Sequence, residues 1–137
     1  MGGAIRIEVA PGELIDKLTI LEIKHERITN EPARTNVVNE LSLVRAAADS
    51  AISGDDRLHS LKGRLKAINE KLWRIEDAIR AKEVAGVFDG DFIELARAVY
   101  RCNDERSAVK REINVVLGSE LLEEKSYTRS QPQKDRT

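Results

Sequence analysis

Apolar positions recur at two different periods along this chain, and the change of period marks the first boundary. Ile5, Ile7 and Val9 alternate with Arg6 and Glu8, the period of a short strand with one buried face. A lone strand leaves backbone donors and acceptors unpaired, so its partner is expected in "VAGVF" at 84–88 or in the same strand of a second copy. Pro11 then starts a helix, because proline loses nothing at the first helical position. Ala10 offers no capping oxygen, and Glu13 supplies only half of a capping box. Leu14, Leu18, Leu21 and Ile28 line one face, with Ile15, Ile20 and Ile23 spread round the sides. A helix this apolar, running to about Thr29, is predicted to be covered on more than one side. Asn30-Glu31-Pro32 stops it.

Three further helices follow. Val37, Leu41, Val44, Ala48 and Ala51 place a second helix over about Thr35 to Ser53, ended by the turn at 53–56. Leu58, Leu61, Leu65, Ile68, Leu72, Ile75 and Ile79 then alternate three and four apart without a break, a heptad seam of roughly 40 Å. Helices two and three are predicted to form an antiparallel hairpin with knobs-into-holes packing. Gly86 and "FDGD" at 88–91 break the chain, and a fourth helix is expected from about Asp91 to Leu117, with Gly118 beyond its end. "SELLEEKSY" reads as a short terminal helix capped by Ser119, and 128–137 as a disordered tail. The expected fold is all-α: an elongated helical bundle with a long antiparallel coiled-coil hairpin, plus one short N-terminal β-strand, in a single domain over 1–127.

Composition sharpens this in one respect. A charged fraction of 34% against 4% aromatic residues favours a surface-rich helical protein over a sandwich or an α/β domain. Twenty-three basic and 24 acidic residues nearly cancel, so no overall field steers the chain to nucleic acid or a membrane. The basic cluster Lys62, Arg64, Lys66 and Lys71 is interrupted by Glu70 and Glu76. Cys102 is the only cysteine, which excludes an internal disulfide and fits a reducing compartment. No signal peptide or membrane span is read, and the expected location is cytoplasmic.

The fourth helix puts polar residues where a packing helix would carry Leu or Ala. With Phe92, Leu95, Val99, Ile113 and Leu117 as its apolar stripe, Asn103, Arg106, Lys110 and Asn114 lie along the middle of it. A buried charge must meet a carboxylate, an anion or water. The row is therefore a buried ion-pair network, an anion or small-molecule site, or a polar seam between two copies. Glu22, Glu76, a second chain or an anion are the candidates facing Arg106.

A second row, Asn69, Trp73, Glu76 and Arg80, runs beside the seam of the third helix. A Trp over a Glu/Arg pair suits either a stacking platform or a wide interface residue beside an i,i+4 ion pair. Glu22 and His25 match one Glu-x-x-His motif, but a di-iron bundle needs it twice with two more carboxylates. No metal or cofactor is expected. Phosphate loops, nucleophile triads and zinc spacings are absent, and Cys102 reads as a small core residue.

"PGELIDKLTILEIKHERI" (11–28), "KLWRIEDAIR" (71–80) and "FIELARAVYRCNDERSAVKREIN…GSELLEEKSY" (92–127) together resemble a bacterial family of small helical proteins classified only as a domain of unknown function. The resemblance covers most of the chain and implies a family pattern at Glu13, Asp16, Lys17, Glu22, Lys24, Trp73, Glu76, Asn103, Arg106, Lys110, Glu124, Lys125 and Tyr127. Ala10 stands where a serine cap is usual in that pattern. It implies no activity. On the residues, the leading expectation is a non-enzymatic interaction module that self-associates as a homodimer or takes a protein partner. The alternative is a small helical protein that binds or acts on an anionic metabolite through inward-facing Arg, Lys and Glu. The sequence offers no catalytic residue set, and nucleic-acid and membrane partners are not expected.

Overall fold

One helix, the first, lies against each of the other described helices, and it is the one whose apolar residues spread over more than one face. The computed structural model describes residues 3–120 and Glu124. Its helices are α1 (Pro11–Arg27), α2 (Glu31–Ala51), α3 (Asp56–Ala85) and α4 (Gly90–Val116). α1 packs on α2, α3 and α4, α3 packs along α4, and α2 lies against α1 alone. Two apolar cores share α1 as their common wall. On one side Leu18 and Leu21 meet Val37, Leu41 and Ala48 of α2. On the other Ile15 meets Leu58, Leu61 and Leu65 of α3 and Val109 and Ile113 of α4.

This arrangement corrects the expected hairpin: α3 pairs with α4, not with α2. The seam on α3 is broad enough to need two partners, and α1 and α4 fill it. The α2 stripe is narrow and ends in alanines, so it is satisfied by one face of α1. Periodicity shows that a seam exists but carries no information about which helix enters it.

No N-terminal strand forms within the single described chain. Residues 3–10 pair with nothing among the described residues, and Ile5 and Ile7 are 87% and 77% exposed. The segment chosen to pair with it is not extended: Val84 still belongs to α3, and Gly86 caps that helix at φ 69°. The expected terminal helix over 119–127 and the tail after it lie largely outside the described residues.

Three helix starts are capped locally. Asn30, Asp55 and Asp89 accept hydrogen bonds from the backbone of Ala33, Leu58 and Phe92 at 3.0, 2.8 and 3.0 Å. At Asp89 the Phe92 N–H, followed by Lys82, holds the carboxyl below its ordinary pKa. α1 is different. Ala10 supplies no side-chain cap, and the orphan N–H of Gly12 is instead taken by Asn114 Oδ1 of α4 at 2.7 Å. The two helices touch there. A Cβ on Gly12 would stand 2.4 Å from the Lys110 carbonyl oxygen and 2.8 Å from Asn114 Oδ1.

α3 and α4 outrun α1. Thirty residues of α3 span about 45 Å and the 17 of α1 about 26 Å, at 1.5 Å per residue. α1 ends beside Trp73, whose ring lies 6.0 Å from the Arg27 guanidinium. Beyond that point α3 and α4 continue as a two-helix arm, and no residue from 76 to 101 is buried.

The contact at Gly12 yields the first prediction. Helix propensity favours alanine over glycine by about 1 kcal/mol, but a clash with backbone forces α1 and α4 apart. Gly12→Ala is therefore expected to lose about 2 kcal/mol net, read as a lower urea midpoint at unchanged slope.

Candidate functional site

The polar row of α4 docks α1, one residue per turn. Asn114 accepts from Gly12, Lys110 Nζ lies 2.7 Å from Glu13 Oε2, and the Arg106 guanidinium grips Asp16 with two donors. Spacing makes this inevitable once the helices run antiparallel: positions 106, 110 and 114 share a face, as do 12, 13 and 16. Asn114 and Lys110 are buried, and Asp16 is only 2% exposed.

Asp16 carries the densest chemistry in the molecule. Arg106 Nε donates to its Oδ1 at 2.9 Å and Nη2 donates to Oδ2. Asn69 of α3 adds its Nδ2 to Oδ1 at 2.9 Å and also donates to Thr19 Oγ1 at 3.0 Å. The Thr19 hydroxyl in turn donates to the Asp16 carbonyl. One carboxylate thus joins three helices, and among the described residues no buried side-chain nitrogen or oxygen lacks a partner. Paired and hydrogen-bonded in this way, a buried ion pair is tolerable.

The acid that grips Arg106 is therefore Asp16, and not Glu22 or Glu76, the two internal carboxylates expected from the sequence. Glu22 sits on another side of α1, near Lys62 at 3.4 Å, Arg45 at 3.7 Å and Lys66 at 4.0 Å. Lys66 is also bonded to Glu26 at 2.7 Å, and that hydrogen bond raises its ammonium above the ordinary pKa despite partial burial. Glu76 pairs with Arg80 along α3 at 3.3 Å. His25 is turned toward α2, where Arg34 contacts its carbonyl and its ring Nε2, both at 3.1 Å. Glu22 and His25 thus serve separate contacts. Among the described residues no group of His, Cys, Asp or Glu is arranged to hold a metal ion. Cys102 is buried, and burial pushes its thiol up, away from the reactive thiolate.

Trp73, Glu76, Asn103 and Arg106 do come together, around a pocket of about 480 Å³ where α1 ends and the arm begins. Ile20, Ile23 and Lys24 of α1 and Asn69, Leu72 and Asp77 of α3 complete its wall. The geometry follows from helix periodicity: 69, 72, 73, 76 and 77 form one face of α3. Arg106, with 29% of its side chain exposed, bridges the buried ion pair and the pocket. His25, Lys110 and Asn114 are not part of the lining, and Arg80 reaches it only through Glu76.

Sequence reasoning did not single out Thr19 or Asp77, and it placed Asp16 only in a family pattern. The available signal for the first was a polar pair three apart, Asp16 and Thr19, set among the apolar residues Ile15, Leu18 and Ile20.

A family model for a family of unknown function (DUF6165) matches residues 5–134. No curated protein matches the chain. No solved structure matches it either.

Breaking the buried pair from one side leaves a carboxylate in the interior with only Asn69. Arg106→Ala is expected to cost about 3 kcal/mol, and Asp16→Ala a similar amount. The double variant should lose less than the sum of the singles by about 1–3 kcal/mol, measured as a double-mutant cycle in urea.

Proposed function

The chain belongs to the DUF6165 family of unknown function, so its role must be read from its own side chains, and we propose a non-enzymatic interaction module that pairs with a second copy through the α3–α4 arm. One observation carries this reading: the apolar seam continues past the end of α1, yet no residue from 76 to 101 is buried. Ile79, Phe92, Leu95 and Val99 are only half-covered by the facing helix. Two helices cannot enclose a seam from both sides, whereas four can.

The outer faces of the arm fit such a partner. α4 presents Ile93, Ala96 and Tyr100 at helical spacing, and Ile93 and Tyr100 are 55% and 43% exposed. α3 presents Ala78, Ala81 and Val84, small enough for close helix approach. Charges of both signs flank these stripes, including Glu94 paired with Arg97, so a second arm meets no single-sign barrier.

The unpaired segment at 5–9 supports the same reading independently. In an antiparallel pair centred on Ile7, Ile5 would face Val9 of the second copy and Arg6 would face its Glu8. Opposite charges and branched apolar residues across strands both favour pairing. Cys102, kept as a thiol, suits the reducing cytoplasm to which we assign the protein. The alternative reading, an anionic metabolite held by Arg106 and Lys110, is weakened because Asp16 and Glu13 already neutralise those cations.

In light scattering the protein should show twice its 15.4 kDa chain mass at micromolar concentration. Ile93→Glu with Tyr100→Glu should give a monomer of unchanged helicity. A monomer at millimolar concentration for the unaltered chain would sink the proposal.

A further inference from the structure

The pocket at the base of the arm holds two charges of opposite sign that nothing else in the described structure answers. Arg106 is matched by Asp16 and Glu76 by Arg80. The side chains of Lys24 on α1 and Asp77 on α3 have neither a hydrogen bond nor an ion-pair partner among the described residues, and they do not pair with each other. Ile20, Ile23, Leu72 and Trp73 supply apolar lining to the same pocket. Asn103, on the remaining side, has an amide likewise without a hydrogen-bond partner among the described residues.

We propose that this pocket binds a small aromatic zwitterion, of the kind represented by a free aromatic amino acid. Its carboxylate meets Lys24 and the Asn103 amide, its ammonium meets Asp77, and its ring lies against Trp73 and the branched side chains. Each part of the guest answers a specific part of the wall. A cation and an anion held apart on different helices select a molecule with both charges over one with either alone. The indole favours a flat ring, offset-stacked or edge-on. A volume of about 480 Å³ falls within the range of small-molecule sites and accommodates a single amino acid. Arg106, fixed by Asp16, keeps the floor rigid, so little ordering is required on binding. The inference goes beyond self-association and does not rest on it.

Trp73 is the only tryptophan in the chain, so its fluorescence reports the pocket directly. Titration with L-phenylalanine should give a saturable change. 3-Phenylpropionate, which lacks the ammonium, and phenethylamine, which lacks the carboxylate, should each bind at least tenfold more weakly. Lys24→Gln should weaken phenylalanine at least tenfold while leaving phenethylamine unchanged, and Asp77→Asn should weaken phenylalanine while leaving 3-phenylpropionate unchanged. Both positions are at least partly exposed, and far-UV circular dichroism checks that helicity is retained. Should either variant lose helicity, the three-ligand comparison on the unaltered chain decides alone. Absence of a saturable response at millimolar phenylalanine, or equal affinity for the single-charge analogues, would overturn the proposal. The monomeric arm variant keeps the pocket residues, so its titration separates this inference from the one on self-association.

Discussion

A carboxylate placed in the interior of a small helical protein has to be answered there, and the answer at Asp16 organises this fold. Arg106 reaches it from α4 and Asn69 from α3, so the three helices have one relative position in which the charge is satisfied. Apolar packing alone would let helices slide by a turn at modest cost. The polar contacts do not permit that slide, because moving α4 by one turn would set Lys110 against Asp16 and leave Gly12 without its acceptor. Asp16 thus contributes register more than net stability. The second core, between α1 and α2, is built of apolar residues, and the polar contacts of that pair, such as Arg34 on His25, lie at its edge.

Much of the architecture was legible in the sequence because it depends on local spacing. Four helices, their breaks near Asn30, Gly54 and Gly86, and the inward face of Asn103, Arg106, Lys110 and Asn114 all follow from a 3.6-residue period and from turn chemistry, although Pro32, read as a stop, lies in the first turn of α2. Pairing was not legible. Whether α3 meets α2 or α4 depends on the summed width of several apolar faces, which no single helix records. The partner of Arg106 was hidden for a related reason. Asp16 is one acid among several on α1, and only the crossing point of α1 and α4 distinguishes it from Glu22. The strand at 5–9 shows the reverse failure: its alternation is genuine, but a strand requires a second one, and the described chain supplies none.

The pocket and the arm share one origin, the short length of α1. Where α1 stops, the groove between α3 and α4 loses its cover, leaving Trp73 half-buried and the seam beyond it open. A longer α1 would have buried both. Among the described residues, the same truncation separates a base, in which every buried side-chain nitrogen and oxygen has a partner, from a projection whose apolar surface is left over. Surfaces available for recognition are drawn from the second part, and rigidity from the first.

The Asn114 acceptor on the Gly12 amide spans 102 positions of sequence. During synthesis at about 5–20 residues per second, α1 therefore waits roughly 5–20 s for the side chain that completes its first turn. The opening helix begins life frayed at its first turn, held by whatever α2 and α3 provide, and that turn becomes whole when α4 arrives. In the finished protein the dependence runs the other way. The Gly12 amide hydrogen is held by a side chain of α4, so its exchange with deuterium reports the parting of α1 from α4.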